Sequence, residues 1–155
     1  MQQKYNDIAD YFGLLSKKHK EIKTFCRYEL DELLDRTVSI EGFPALVLEG
    51  FDFDYSGSVP DNVLKNRNGA FCIVGTCDTT NARERTDKLE QLEIIAEQIL
   101  IKMVTDKKNH HPLLTGFEIA SAEGIHFVNP MLGYVFCRIS FSFKTKITED
   151  LTAWQ

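Results

Sequence analysis

Two stretches of the chain decide its fold. Residues 82–104 read ARERTDKLEQLEIIAEQILIKMV, and residues 134–146 read YVFCRISFSFKTK. The first repeats apolar side chains three and four residues apart, the spacing of an amphipathic helix that covers a sheet. The second alternates, with apolar side chains at every odd position from Val135 to Phe143 and mostly polar neighbours, which predicts a half-buried strand. We therefore predict an α+β domain in which helix 82–104 packs on a mainly antiparallel sheet.

These two apolar surfaces also predict the core. Ile95 and Ile99 lie on the stripe of the helix, and Ile139 and Phe141 lie on the apolar face of the strand. Because both surfaces must be buried, we expect these four side chains in one cluster. Phe136 belongs to the other face, so a buried Phe136 with an exposed Phe141 would mean that the register is reversed.

The remaining elements are predicted from shorter patterns. We expect a helix over 7–18, capped by Asp7, and a helical pattern over 21–36, which leaves open one long kinked helix or a short extended stretch at 24–28. Asn81 is expected to cap helix 82–104, with Glu84 completing a capping box. The predicted strands and loops are strands 37–40, 45–55, 69–77, 115–122 and 125–129, turns at 123–124 and 129–133, and loops 56–68 and 106–112.

The length and composition fit one globular domain. The chain has 155 residues, of which 43% are hydrophobic and 26% charged, as is usual for such proteins. We predict a single domain over 1–155: a helical region 1–36, a sheet with the main helix over 37–146, and a tail 147–155. The first residues lack the apolar core of a signal peptide, and no stretch approaches the roughly 20 apolar residues of a membrane span. We therefore expect a soluble protein made in the cytoplasm, with no membrane contact.

The net charge limits the nucleic-acid roles. At -5 the chain does not have the basic surface expected of a protein that grips DNA phosphates. This charge leaves open a lumen through which DNA passes without specific binding.

No pattern in the sequence predicts a catalytic, cofactor or metal site. His110 and His111 are adjacent, but no Cys, Asp or Glu ligand follows within a few residues, so a solvated loop is expected. Asp52 and Asp54 alternate with aromatic side chains on a strand, where a solubilising or interfacial role is expected rather than acid–base chemistry. His126 is expected to be a cross-strand partner. Since the GxSxG, GxxxxGK[ST], HExxH and paired CxxC motifs are also missing, we predict no enzymatic activity and no cofactor.

The four cysteines are expected to be buried free thiols. Cys26 falls in the predicted helix 21–36, Cys72 and Cys137 in predicted strands, and Cys77 at a strand end. Strand alternation places Cys72 and Cys77 on opposite faces, so the two thiols are not expected to share a metal ion.

Two polar segments are candidates for partner contacts. The predicted loop 56–68 is long for a connection and carries Lys65 and Arg67, so we expect it to contact a subunit, an acidic partner or nucleic acid, or simply to remain solvated. Deletion of 57–66 is expected to leave the monomer folded and to abolish assembly. In the tail, Leu151 and Trp154 are three residues apart and form a small apolar anchor, which is expected to dock on its own domain or on a neighbouring subunit.

The order of these elements resembles a known class of proteins. An N-terminal helix and strands with a long loop precede the strand GAFCIVGTC at 69–77, helix 82–104, TGFEIAS at 115–121 and GYVFCRISFSFKTKI at 133–147. Over residues 5–146 this order is similar to that of the tail-completion, tail-terminator and head–tail joining proteins of tailed bacteriophages. The resemblance implies a small α+β protein whose sheet is covered by helices, assembly as a ring at the neck, and no catalytic residues.

We therefore expect a structural virion protein that forms a homo-oligomeric ring in the neck or tail of a phage or of a related injection machine. Its expected partners are other neck, portal-side or tail-tube proteins, and its expected location is the virion, after assembly in the host cytoplasm. One alternative is a small-ligand or regulatory binding module on an α+β sandwich, which would be a stable monomer or dimer with an apolar cleft. A second alternative is an enzyme that uses the carboxylates of Asp52 and Asp54.

Overall fold

The computed structural model describes residues 4–35, 38–59 and 62–147. Within them lie three α-helices, six strands and a short 3-10 turn at Pro112–Leu114. In chain order the elements are α1 (Tyr5–Lys18), β1 (Thr24–Arg27), α2 (Leu30–Leu34), β2 (Ala45–Leu48), β3 (Asp52–Ser56), β4 (Leu64–Thr76), α3 (Ala82–Lys108), β5 (Phe117–Asn129) and β6 (Tyr134–Lys146).

The six strands form one mostly antiparallel sheet, which confirms the α+β class. The strand order is β1-β2-β4-β6-β5, and only the β1–β2 pair is parallel. Strand β4 is central and pairs with β6 along its full length. On its other side β4 pairs with β3 over residues 64–68 and with β2 over residues 71–74. One long strand therefore supports two different partners end to end.

Helices α1 and α3 cover one face of the sheet and enclose the larger core. Ile95, Ile99, Ile139 and Phe141 all lie in this core and are at most 7% exposed, which confirms the predicted cluster. Phe12 of α1 stacks on Phe141 with the ring centroids 5.6 Å apart. The N-terminal helix is therefore part of the same hydrophobic core as α3 and β6.

The opposite face has a smaller apolar cover of its own. Leu33 of α2 and Val38 and Ile40 of the following segment pack on this face, where Phe136 is fully buried. Phe136 and Phe141 are thus both buried, on opposite faces, so the predicted register is right. The alternation in β6 predicts that the face carrying Phe136 contacts water. This prediction holds only for the part of β6 that lies beyond the smaller apolar cover.

The prediction of a second helix over 21–36 was wrong. Residues Thr24–Arg27 form β1, which lies parallel to β2, and only Leu30–Leu34 is helical. The extended stretch left open at 24–28 is confirmed, and Cys26 therefore lies in a strand. Pairing with β2 satisfies the backbone here, so tertiary context overrides the helical periodicity. The strand predicted over 37–40 is also absent from residues 38–40, the part of it that the structure describes.

Other predicted boundaries shift for local reasons. The segment 45–55 divides into β2 and β3, and the two short strands predicted over 115–129 are one strand, β5, with an irregularity between Glu118 and Glu123. The turn predicted at 123–124 therefore lies within a strand. Strand β4 begins at Leu64, so the predicted loop 56–68 shrinks to the connection 57–63. Deletion of 57–66 would remove the start of β4 and is no longer expected to spare the fold.

Helix α3 begins at the predicted residue and ends four residues later than predicted, at Lys108. The Asn81 side chain accepts a hydrogen bond from the Glu84 N–H at 3.1 Å, so the predicted cap is confirmed. The Glu84 carboxylate accepts a hydrogen bond from the Asp78 N–H and not from the Asn81 N–H, as a capping box would require. In α1, Lys4 occupies the N-cap position and Asp7 lies within the first turn, so the predicted Asp7 cap was wrong.

Strand β6 has the predicted bounds, and the predicted turn precedes it. Asn129 orders this turn, because its side-chain oxygen accepts from the backbone N–H of Met131 at 3.1 Å. Gly133 adopts a φ of 68°, which favours glycine. Among the helices of the described ranges, none combines the length and the apolar character needed to span a bilayer.

Candidate interaction surfaces

Strand β3 is an exposed edge strand. All five of its residues are exposed, and among the described residues its backbone pairs with β4 alone. Phe53 and Tyr55 point to one side and are 55% and 57% exposed. The ammonium group of Lys65 lies 4.3 Å from the centroid of the Phe53 ring, a cation–π contact on the strand surface. A hydrophobic edge of this kind is a template for pairing with another chain.

The other side of β3 carries a polar ladder. The Asn66 amide donates to one carboxylate oxygen of Asp54 at 2.6 Å, and the Asn68 amide donates to the other at 3.2 Å. The Ser142 hydroxyl continues the ladder by donating to Asn68 Oδ1 at 2.7 Å. Both oxygens of Asp54 therefore accept structural hydrogen bonds, and Asp52 and Asp54 lie on a solvated strand. That placement favours a solubilising or interfacial role.

A charged pair lies where the polar ladder meets the smaller apolar cover. Glu49 is only 5% exposed, and its carboxylate accepts from Nε and Nη2 of Arg138 at 2.6 and 3.1 Å. These hydrogen bonds raise the pKa of Arg138 above its usual value. The Cys72 thiol donates to the same carboxylate at 3.5 Å, and burial raises the pKa of this thiol well above its usual value. The pair connects Glu49, the residue after β2, to Arg138 of β6 across the intervening strand β4.

Sequence reasoning missed this pair. Two features of the sequence could have indicated the pair. Glu49 is a single acidic residue at the end of the apolar run ALVLEG, and Arg138 is a basic residue among the even positions of β6. Neither residue indicates the other along the chain, because the two are 89 residues apart.

A cleft lies between α1, the 3-10 turn and the end of β6. Its volume is about 640 Å³. Leu14 and Leu113 contribute apolar surface to it, while Asp7 of α1 and Lys146 of β6 place opposite charges on facing walls. The inner side chains of α1 are buried in the core, whereas Leu14 of the same helix lines the cleft and is 49% exposed.

A hydrogen-bonded group at this cleft joins α1 to α3. The Tyr11 hydroxyl donates to Asp106 Oδ2 at 2.9 Å, and Lys102 donates to the other carboxylate oxygen. Burial by itself raises the pKa of Asp106, but the hydrogen bonds from Lys102 and Tyr11 outweigh it and hold this pKa below its usual value. Burial, with the Asp106 contact, raises the pKa of Tyr11, so the phenol stays protonated.

The histidines singled out in the sequence have local roles. His111 packs its ring against Tyr11 and accepts from the Leu113 N–H at 3.2 Å, which caps the 3-10 turn. His110 has a φ of 60° and is exposed in the loop. His126 is opposite Cys137, as expected for a cross-strand partner. Within the described ranges, no group of three or more His, Cys, Asp or Glu side chains is placed to hold a metal ion.

The four cysteines are free thiols, but their burial differs. Cys72 and Cys137 are buried, whereas Cys26 and Cys77 are only partly buried. The prediction that all four thiols are buried was therefore wrong. Burial raises the pKa of Cys26 and of Cys137 to about 11. Both thiols therefore remain protonated at neutral pH and are weak nucleophiles.

The two polar segments proposed for partner contacts were the predicted loop 56–68 and the tail 147–155. Lys65 and Arg67 belong to the paired part of β4 and not to a loop. Leu151 and Trp154 lie outside the described residues.

No family model, no curated protein and no solved structure matches the chain.

Proposed function

We propose that this protein is a structural virion component that forms a homo-oligomeric ring in the neck or tail of a tailed bacteriophage, as a tail terminator or head–tail joining protein. Its α+β fold, with two helices covering one face of an antiparallel sheet, agrees with the resemblance in element order. The observation that carries the proposal is β3, a strand whose residues are all exposed and which presents Phe53 and Tyr55 to solvent.

The chemistry of β3 favours contact with a different surface of the neighbouring subunit. If two copies of β3 paired antiparallel about their centres, Asp54 of one copy would lie directly opposite Asp54 of the other. Like charges directly opposite each other destabilise a strand pair. Contact between unlike surfaces is head-to-tail, and head-to-tail contacts generate rings when the rotation closes.

The proposed ring sits between other proteins of the particle. Its neighbours are neck, portal-side or tail-tube proteins, and it assembles in the host cytoplasm before it becomes part of the virion. DNA passes through the lumen without specific binding, which suits a chain with a net charge of -5.

The decisive experiment compares assembly in two double variants. The wild-type chain is expected to form rings that are visible by electron microscopy and sediment as one discrete oligomer. Phe53→Ser/Tyr55→Ser is expected to remain monomeric with a melting temperature within a few degrees of the wild type, because both side chains are exposed. The matched control is Ile94→Ser/Ile101→Ser, which removes two exposed apolar side chains from the outer side of α3 and is expected to assemble normally.

Two results would contradict the proposal. One is a wild-type chain that stays monomeric at every concentration tested. The other is loss of assembly in the α3 control to the same extent as in the β3 variant, since that would show no specific role for the β3 edge.

The cleft favours a second candidate, a small-ligand or regulatory binding module. A volume of about 640 Å³ lies within the range of small-molecule sites. A binding module would be a monomer or dimer whose melting temperature rises with a saturating small ligand, and Leu14→Glu would remove that rise. Ring formation without such a ligand would favour the structural role.

A further inference from the structure

The cleft beside α1 exposes apolar surface at a place where the chain continues. Leu14 is half exposed there, and Pro112 and Leu113 of the 3-10 turn line the cleft with it. The last residues of β6, Lys144 to Lys146, form another wall. The backbone N–H of Ile147 donates to the Val63 carbonyl at 3.0 Å, which fixes the point where the chain leaves β6.

The eight residues that follow have the right length to reach back into the cleft. They read TEDLTAWQ over 148–155. Trp154 is seven residues beyond Ile147, which allows a fully extended reach of about 23–25 Å. A segment of this length can turn back along the wall from which it starts.

The charges and apolar side chains of this segment match the two kinds of surface in the cleft. Glu149 and Asp150 lie three and four residues beyond Lys146, which lines the β6 wall together with Lys144, whose ammonium also pairs with Glu118 at 3.4 Å. The opposite wall carries Asp7 and Asp10, so an acidic segment is favoured on the β6 side. Trp154, with Leu151 three residues before it, supplies a large apolar group for the surface around Leu14.

We propose that residues 148–155 dock in the cleft of their own chain, with Trp154 against Leu14 and Leu113. The same chain is the favoured occupant because a short tether gives an effective concentration in the millimolar range, well above that of a second copy in solution. This docking does not depend on ring formation.

Tryptophan fluorescence tests the proposal directly, because Trp154 is the only Trp in the chain. The full chain is expected to emit at a shorter wavelength than the free peptide 148–155 and to be less accessible to acrylamide. Leu14→Glu is expected to shift the emission to that of the free peptide. Ile94→Glu, at a helix position of matching exposure (50% against 49%), is expected to leave the emission unchanged.

A second variant keeps the test valid if Leu14→Glu disturbs α1. Leu151→Ser changes only the segment and is expected to raise acrylamide quenching while the circular dichroism stays unchanged. The proposal is overturned if Trp154 in the full chain emits like the free peptide, or if both variants leave its emission unchanged. A blue shift that disappears on dilution would also overturn it, because that would place the segment on a second copy.

Discussion

The two halves of β4 differ in burial although they belong to one continuous strand. Residues 71–74 are fully buried and pair with β2, all four residues of which are also buried. Residues 64–68 pair with β3, all five residues of which are exposed. Both halves pair with β6 on their other side. Backbone pairing is therefore common to both halves. The half that pairs with β2 is covered by other parts of the chain and contributes to the core, whereas the half that pairs with β3 lies beside an exposed strand that is available for contact.

Gly69 lies at the boundary between the halves. The ring of Phe51 lies so close to its Cα that an added Cβ would be 2.1 Å from a ring carbon. Phe51 itself packs edge-on against Phe141 and Tyr5. A glycine is thus required here for Phe51 to close the end of the buried half, where the chain passes from β2 to β3.

The largest expected effect contrasts Phe141 of β6, which lies in the larger core, with Phe53 of the exposed strand β3. Phe141→Ala should lower the free energy of unfolding by about 3–5 kcal/mol, because it removes a ring from the centre of the larger core. Phe53→Ala should change it by less than about 0.5 kcal/mol, because the side chain is already mostly in water. Chemical denaturation measures both. Similar losses for the two variants would show that the β3 half is also buried in solution.

An intermediate effect is expected at the boundary of the polar ladder. Arg138→Met should cost about 2 kcal/mol, because among the described residues it leaves the buried carboxylate of Glu49 with the weak donor Cys72 alone. The control is Lys144→Met in the exposed half, where the pair with Glu118 is about half solvated and its loss should cost less than about 0.5 kcal/mol. Equal costs for the two variants would show that burial does not set the strength of these pairs.

The smallest expected effect depends on pH. The pKa of Asp106 is lowered by its hydrogen bonds, so its contribution to stability is present above the usual pKa of 3.8 and is lost as the pH falls through the lowered value. Asp106→Asn should therefore cost about 1 kcal/mol at pH 7, and this difference from the wild type should vanish in strong acid. Asp87→Asn, which breaks an exposed pair with Arg83 on the same helix, is the control and should show little effect at either pH.

An Asp106→Asn difference that stayed constant from neutral to acid pH would mean that the carboxylate charge does not contribute. In that case the contact with Tyr11 would act through packing alone.

Long periodic segments were predictable, and polar or short ones were not. Helix α3 and strand β6 have patterns long enough for their period to be unambiguous. Residues 64–68 read LKNRN, which resembles a loop because four of the five side chains are polar, although residues 64–67 are partly buried in the sheet. The strand β1 carries a helical pattern that pairing with β2 overrides. The functional surfaces were predicted only in part: Asp52 and Asp54 were placed on a wet strand face, but the exposed edge of β3 and the cleft were not foreseen.

The sequence by itself determined the α+β class, the bounds of β6, the cap at Asn81 and the cluster around Ile95 and Phe141, because each depends on spacing within a single segment. Only the tertiary structure decided that Glu49 meets Arg138, that β4 serves two partners, and that a cleft opens beside Leu14. These features depend on residues far apart in the chain, and their contacts exist only when the sheet has brought them together. The same reason explains why Phe136 is buried on a face whose polar neighbours predict solvent: the residues that cover it come from α2 and the segment after it, about 100 positions earlier.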